Sequence, residues 1–229
     1  VISPIVLGLA IGCMCAFDMG GPVNKAAYVI GTALLTEALS AGVGTDTYNF
    51  GTNFMAAVSA ACIVPPLITT FAVVVGKKYF SQEDHDAGIV NLILGCTHIT
   101  EGAIPFMTKN IWPVMPIMML GSSIAAILTI FFGVHDPAPH GGFLVLPVVD
   151  GGGLWVLAIL IGALVGELLG ANKGLGLLIR SSQNNFNMNG VLAGMVLVAI
   201  IALVAEGLIT MLENRLLRWR PPQFHGGTV

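Results

Sequence analysis

Read as a pattern of apolar and polar positions, the chain alternates long apolar blocks with short polar breaks. Nearly uncharged blocks of about 20 residues are long enough to cross a bilayer as helices. Five blocks reach or approach that length, at residues 1–17, 54–75, 111–134, 153–170 and 191–212. The last two are apolar on every helical face, so those predicted helices are surrounded by lipid or by other helices. Pro65-Pro66 falls inside the second block, where two missing N–H groups free carbonyls that neighbours must satisfy. Two further stretches are apolar but interrupted. Residues 20–51 mix Gly, Pro, Asn, Thr and a few charges, and residues 88–106 read GIVNLILGCTHITEGAIPF, with Gly95, Gly102 and Pro105 as breakers. Such segments suit broken helices or re-entrant hairpins, which at membrane depth line cavities, and polar loops are the alternative. The pattern predicts an all-α polytopic membrane protein with about five transmembrane helices plus one or two broken or re-entrant segments.

Composition agrees. Of 229 residues, 55% are hydrophobic and 9% are charged, against about 25% charged in a soluble domain, so most of the surface must face lipid. This excludes a soluble enzyme, and the net charge of −3 without a dense basic run excludes a nucleic-acid partner. Cys13, Cys15, Cys62 and Cys96 all lie in apolar stretches, where free cysteine behaves as a small hydrophobe, and no cofactor or metal is expected. The chain opens at Val1 inside an apolar run without Met or a basic leader, which reads as a fragment lacking its front.

Basic residues near span ends set the expected orientation. Arg215, Arg218 and Arg220 outnumber Lys173 and Arg180, which puts the C-terminus in the cytoplasm. Counting back places the loop 135–152 in the cytoplasm as well, while Lys77-Lys78 favours a cytoplasmic end for the 54–75 span. Residues 88–106 must then cross the membrane once.

The sharpest candidate chemistry is CTHITEG at residues 96–102. A carboxylate and an imidazole inside an apolar segment are costly to hold, which makes them a functional hypothesis by default. On a helical turn, His98 and Glu101 share one face. Glu101 then accepts hydrogen bonds from substrate hydroxyls and His98 donates or accepts, as a neutral polyol such as a sugar requires; a Glu–His pair that merely bridges two helices is the alternative. The second cluster, GGPVNKAAY at residues 20–28, specifies a turn into a helix and brings Asn24, Lys25 and Tyr28 within one turn of each other. A lysine there is equally suited to snorkelling. His135-Asp136 and His140 fit a cytoplasmic turn better than a metal site. Gly162, Gly166 and Gly170 form a small-residue stripe for helix packing, and Glu167 and Glu206 lie near span ends with no polar cluster around them.

GGPVNKAAY, HITEGAIPF at 98–106, PHGGF at 139–143 and LPVVDGGGLW at 146–155 together resemble the membrane IIC domain of the fructose family of bacterial phosphoenolpyruvate-dependent sugar phosphotransferase permeases, over about residues 1–165. The resemblance implies a cytoplasmic (inner) membrane protein that binds a fructose-like hexose and presents it to a phospho-IIB domain, with release of a sugar phosphate inside. It implies that Glu101, His98 and Thr100 lie in a sugar-binding hairpin and that Asn24 and Lys25 support it. It also implies a possible homodimer, although the family's first several helices, which carry much of the dimer contact in the related glucose-type architecture, are missing. No IIB cysteine motif or IIA histidine motif is present, so phosphorylation needs a separate protein. From about Gly166 the sequence changes character. GELLGANKGLGLLIRSSQNNFNMNGVLAG and ENRLLRWRP resemble the C-terminal end of an ABC importer permease of the taurine and sulfonate type. Residues 1–160 carry four basic and nine acidic groups, and residues 161–229 carry five basic and three acidic. The expected organisation is therefore a partial sugar-permease domain at 1–165 joined to ABC-permease-like helices at 166–229. The alternatives are an importer permease subunit acting through an ATPase, and a hybrid fragment without transport activity.

Overall fold

A computed structural model describes residues 3–170 together with Val196 and Met211. It is all-α: seven α-helices fall within residues 3–170, and no strand occurs among the described residues, only an isolated antiparallel bridge between His135 and Asp150. The helices are α1 (Pro4–Phe17), α2 (Pro22–Ala41), α3 (Asp46–Val75), α4 (Gln82–Cys96), α5 (Ile104–Lys109), α6 (Ile111–Phe131) and α7 (Gly152–Gly170). Three of them, α3, α6 and α7, are long and apolar enough to cross a membrane, and the chain is a multi-pass membrane protein. The 1–17 block appears as the shorter apolar helix α1, while the 191–212 block, the basic C-terminus and nearly all of the ABC-permease-like segment lie outside the described residues.

α3 is the central helix. Residues 54–68 are buried without interruption, and the run of small residues from Ala56 to Ala61 lets neighbours approach on every side. Exposed Ile5, Val29, Ile89, Ile93 and Leu120 lie on the helices around it, as expected of a surface that meets lipid. The helix runs through Pro65-Pro66 rather than stopping there. Each proline removes the N–H that would bond the carbonyl four residues back. Both freed carbonyls have hydroxyl partners: Ser122 of α6 donates to Ala61 O at 2.8 Å, and Thr100 donates to Cys62 O at 3.1 Å. The proline pair thus creates two docking points on α3.

Residues 20–51 form neither a broken hairpin nor a loop. Gly21 and Pro22 start α2, which continues unbroken to Ala41, and α3 begins at Asp46 under a Thr45 cap. Pre-proline turn geometry and a helix-compatible interior explain the continuity, since Asn24, the one buried polar residue of α2, is hydrogen-bonded and others such as Lys25 and Glu37 fall on exposed positions. α1 passes down α6, with Gly8 against Ile127 and Gly12 against Ser123. It turns at residues 18–21, and α2 returns along α3, so that Asn24 meets Cys62 and Gly51 meets Leu34 and Ala38. α1 and α2 are therefore a helical hairpin whose tip reaches the middle of α3.

Residues 82–109 form a second hairpin, and here the expected single crossing is corrected. Lys109, at the end of α5, pairs with Asp84 in the first turn of α4. The segment therefore enters and leaves on the same side. The reversal is a Schellman closure, with Ile99 N–H to Leu94 O at 2.8 Å and His98 N–H to Gly95 O at 3.0 Å. The expected sidedness changes with it. Thr52 and Asn53, at the start of α3, bond residues 134–136, whereas Lys77, Lys78 and Lys109 lie toward the other ends of α3 and α6. The 135–152 loop and Lys77-Lys78 thus occupy opposite ends of the bundle and cannot both be cytoplasmic.

Candidate functional site

The two hairpins enter the bundle from opposite ends and their tips meet beside Cys62. At the α1–α2 tip, Asp18 accepts from Val23 N at 2.7 Å and Asn24 N at 2.9 Å, which caps the positive end of α2 with a carboxylate. Asn24 is buried, and its amide donates to Cys15 O at 2.5 Å and to Cys62 Sγ at 3.7 Å. At the α4–α5 tip, His98 occupies the αL position of the Schellman motif with φ of 69°. Glycine is the usual residue there, and a side chain at αL costs about 1–2 kcal/mol. A histidine held at that cost points to use of its imidazole.

The sequence placed His98 and Glu101 on one helical face, and the structure corrects this. The αL turn at His98 and the 3-10 turn Thr100–Ala103 separate the two side chains. His98 is buried, with Nδ1 3.5 Å from Ser59 Oγ, whereas Glu101 is exposed and extends toward the other hairpin. The Glu101 carboxylate lies against Gly20, where an added Cβ would sit 2.6 Å from Oε1 and where φ is +114°. Only glycine meets both conditions. Thr100 is buried and commits its proton to Cys62 O, which anchors the tip. Asn91 fastens the hairpin from below, donating to Thr69 Oγ1 at 2.7 Å and Gly102 O at 2.8 Å. Lys25 stands next to Asn24 in sequence but is exposed and bonds none of the described side chains.

A third element completes the site. The loop between α6 and α7 turns inward, and His140 stacks on His98 with ring centroids 4.6 Å apart and an interplanar angle of 29°. Tyr28 presents its edge to both rings, at 6.2 Å from His98 and 6.1 Å from His140. Gly142, at φ of +58°, lets the loop backbone close on the hairpin, since a Cβ there would sit 2.7 Å from His98 N. Phe143 meets Trp155 edge-on, and the Trp155 indole donates to Ala56 O at 3.0 Å, which ties the loop to α3. Asp136 is buried in the same loop and accepts from Ala138 N at 2.9 Å. Burial pushes its carboxyl up to about 6, against the opposing pull of the Ala138 N–H and of His98. Burial, helped by the neighbouring His98, holds the His140 imidazole below its ordinary value.

The sequence-predicted residues thus divide. Glu101 and His98 reach the meeting point from one hairpin and Asn24 from the other; Thr100 and Asn24 hold the frame, and Lys25 is exposed. Sequence reasoning missed His140, read as part of a turn at the surface, and Asp18. The available signal for His140 was the Gly141-Gly142 pair that follows it, which permits close backbone approach. The arrangement offers an exposed carboxylate, an imidazole pair and an aromatic edge, without a basic side chain. Such a set suits a neutral, hydroxyl-rich molecule rather than an anion.

Residues 144–218 match the family described as the binding-protein-dependent transport system inner membrane component. Most of the chain is similar to a different group of proteins. It is 43% identical to the PTS system fructose-specific EIIB'BC component of Rhodobacter capsulatus over 166 residues, which cover 71% of this chain and 27% of the relative. It is 39% identical to the fructose permease IIC component of Bacillus amyloliquefaciens over 161 residues, 70% of this chain and 49% of the relative. It is 37% identical to the fructose-like permease IIC component 2 of Escherichia coli K12 over 163 residues, 71% of this chain and 42% of the relative. The chain therefore spans about a quarter to a half of the length of these relatives. No solved structure matches it.

Proposed function

We propose that residues 1–165 are part of the membrane component of a sugar phosphotransferase system and that a fructose-like hexose binds where the two hairpin tips meet. The observation that carries this reading is the contact of the two tips: the exposed Glu101 carboxylate lies against Gly20 of the opposite hairpin, beside the His98–His140 pair. The named relatives support the substrate class. Glu101 accepts hydrogen bonds from two sugar hydroxyls, and the imidazoles and Tyr28 satisfy others.

In the phosphorylation step, a sugar hydroxyl oxygen bonds to the phosphorus carried by a separate phospho-IIB protein, and the bond from phosphorus to that protein breaks. The hydroxyl proton passes to His140, the exposed member of the imidazole pair, whose ring burial keeps unprotonated. The end bearing Lys77, Lys78 and Lys109 faces the cytoplasm by the positive-inside rule, and the α4–α5 hairpin enters from that side. A single further crossing after α7, at residues 191–212, would put the C-terminus on the opposite side, against the sign of Arg215, Arg218 and Arg220.

A second reading, an importer permease subunit or a hybrid chain joined near residues 162–170, is compatible with the family match at residues 144–218. Calorimetric titration of the full chain in nanodiscs separates the readings. The sugar-permease reading expects binding of fructose and not of taurine. Taurine binding, with no response to fructose, would overturn it.

A further inference from the structure

Away from the hairpin tips, a cavity of about 350 Å³ opens between the base of the α4–α5 hairpin and helices α3, α6 and α7. It lies toward the ends of α3 and α7 and the start of α6, at the level where a bilayer presents its headgroups. Its walls include Tyr79, Phe80 and Phe106, and the last two meet edge to face at 6.3 Å. Two charged groups at its rim, Asp84 and Lys109, neutralise each other. A third, Glu167 of α7, is 6% exposed, and it has no hydrogen-bond or salt-bridge partner among the described residues. Its carboxyl group therefore lines the cavity with no partner among the described residues. A buried carboxylate beside aromatic faces is a receptor for an organic cation, because the carboxylate supplies the counter-charge and the rings supply cation–π attraction. A lone metal ion is a poorer fit, since no group of three His, Cys, Asp or Glu side chains gathers among the described residues.

We infer that this cavity binds a primary ammonium group and that its source is the headgroup of a phosphatidylethanolamine lipid, with the ammonium on Glu167. The depth of the cavity at the helix ends selects the lipid over a free amine, because a headgroup is delivered there at high local concentration. The inference is independent of the sugar site. Its consequence is that an aminophospholipid fastens the base of the α4–α5 hairpin to α7.

The test is lipid retention by the full chain, measured by native mass spectrometry after release from nanodiscs that contain equal amounts of phosphatidylethanolamine and phosphatidylcholine. The wild type should retain the ethanolamine lipid on the order of tenfold more than the choline lipid, because the bulky trimethylammonium donates no hydrogen bond to Glu167. Glu167→Gln should abolish that preference, and Phe106→Leu, which leaves the carboxylate in place, should weaken it severalfold. Equal retention of the two lipids by the wild type, or a preference that survives in Glu167→Gln, would overturn the inference. So would stabilisation of detergent-purified protein by free ethanolamine at millimolar concentration to the same degree as by the lipid, since it would identify a free amine as the ligand.

Discussion

The docking of the α4–α5 hairpin on a proline-freed carbonyl can be tested at one atom. Pro66 leaves Cys62 O without its helical partner, and Thr100 Oγ1 donates to it at 3.1 Å from a side chain that is 3% exposed. Thr100→Val keeps the shape and removes the donor. An unsatisfied buried carbonyl costs about 1–3 kcal/mol, and hydrogen bonds measured inside membrane proteins average nearer 0.6 kcal/mol, so the expected loss is roughly 0.6–2 kcal/mol. Thr108→Val is the control, because Thr108 makes the same kind of bond to Pro105 O at 3.1 Å on an exposed turn and should change stability little. Ser122→Ala removes the donor to the sister carbonyl, Ala61 O, and should destabilise to a similar degree without loosening the tip. Pro66→Ala restores the missing N–H, so the Thr100→Val/Pro66→Ala double variant should recover most of the Thr100→Val loss. The assay is reversible unfolding in mixed micelles, with sugar binding measured alongside. Thr100→Val as stable as Thr108→Val, or no recovery in the double variant, would refute the reasoning.

Other outcomes follow from the same geometry. Asp18→Ala removes the carboxylate that caps α2 and should lower stability by roughly 0.5–2 kcal/mol, seen as a reduced thermal midpoint in detergent. Asp136 titrates near 6 in the folded chain and near the ordinary 3.8 when unfolded, so between those values the folded state holds more protons and stability falls as pH rises. Asp136→Asn keeps the acceptor for Ala138 N–H and should remove that fall, gaining up to roughly 3 kcal/mol over the parent above pH 7 and little below pH 4; parallel pH–stability curves for parent and variant would contradict it. Lys109 in the Asp84–Lys109 pair is exposed, so Lys109→Gln should change stability by no more than about 1 kcal/mol in an unfolding titration.

Much of the architecture was legible in the sequence because bilayer length is a strict filter on apolar runs. The blocks at 54–75, 111–134 and 153–170 correspond to α3, α6 and α7, and the breakers Gly95, Gly102 and Pro105 do mark a hairpin. What periodicity does not encode is depth and direction of return. Whether residues 88–106 cross or come back depends on the αL turn at His98 and on the Asp84–Lys109 contact, and a histidine in αL has no signature in composition. The scattered polar residues of α2 resembled interruption, but Gly21-Pro22 had already set the helix start, and all of them but the hydrogen-bonded Asn24 escape full burial. His140 was hidden because its loop has the composition of a surface turn. The packing of Gly142 on the His98 backbone and the stacking of His140 on His98 show that it turns inward. Glu101 was legible as a carboxylate out of place, although its neighbour proved to be the opposite hairpin rather than the same helical face.

The central claim is that Glu101 and His140, from two separate elements, contact one sugar at one site. A double-mutant cycle on fructose affinity, with Glu101→Gln, His140→Gln and the double variant titrated in nanodiscs, tests it most directly. Each single change should weaken binding by about 1–3 kcal/mol, and the double variant should lose less than the sum, because the two side chains share a ligand. Unchanged affinity in Glu101→Gln, or strictly additive losses, would contradict the account.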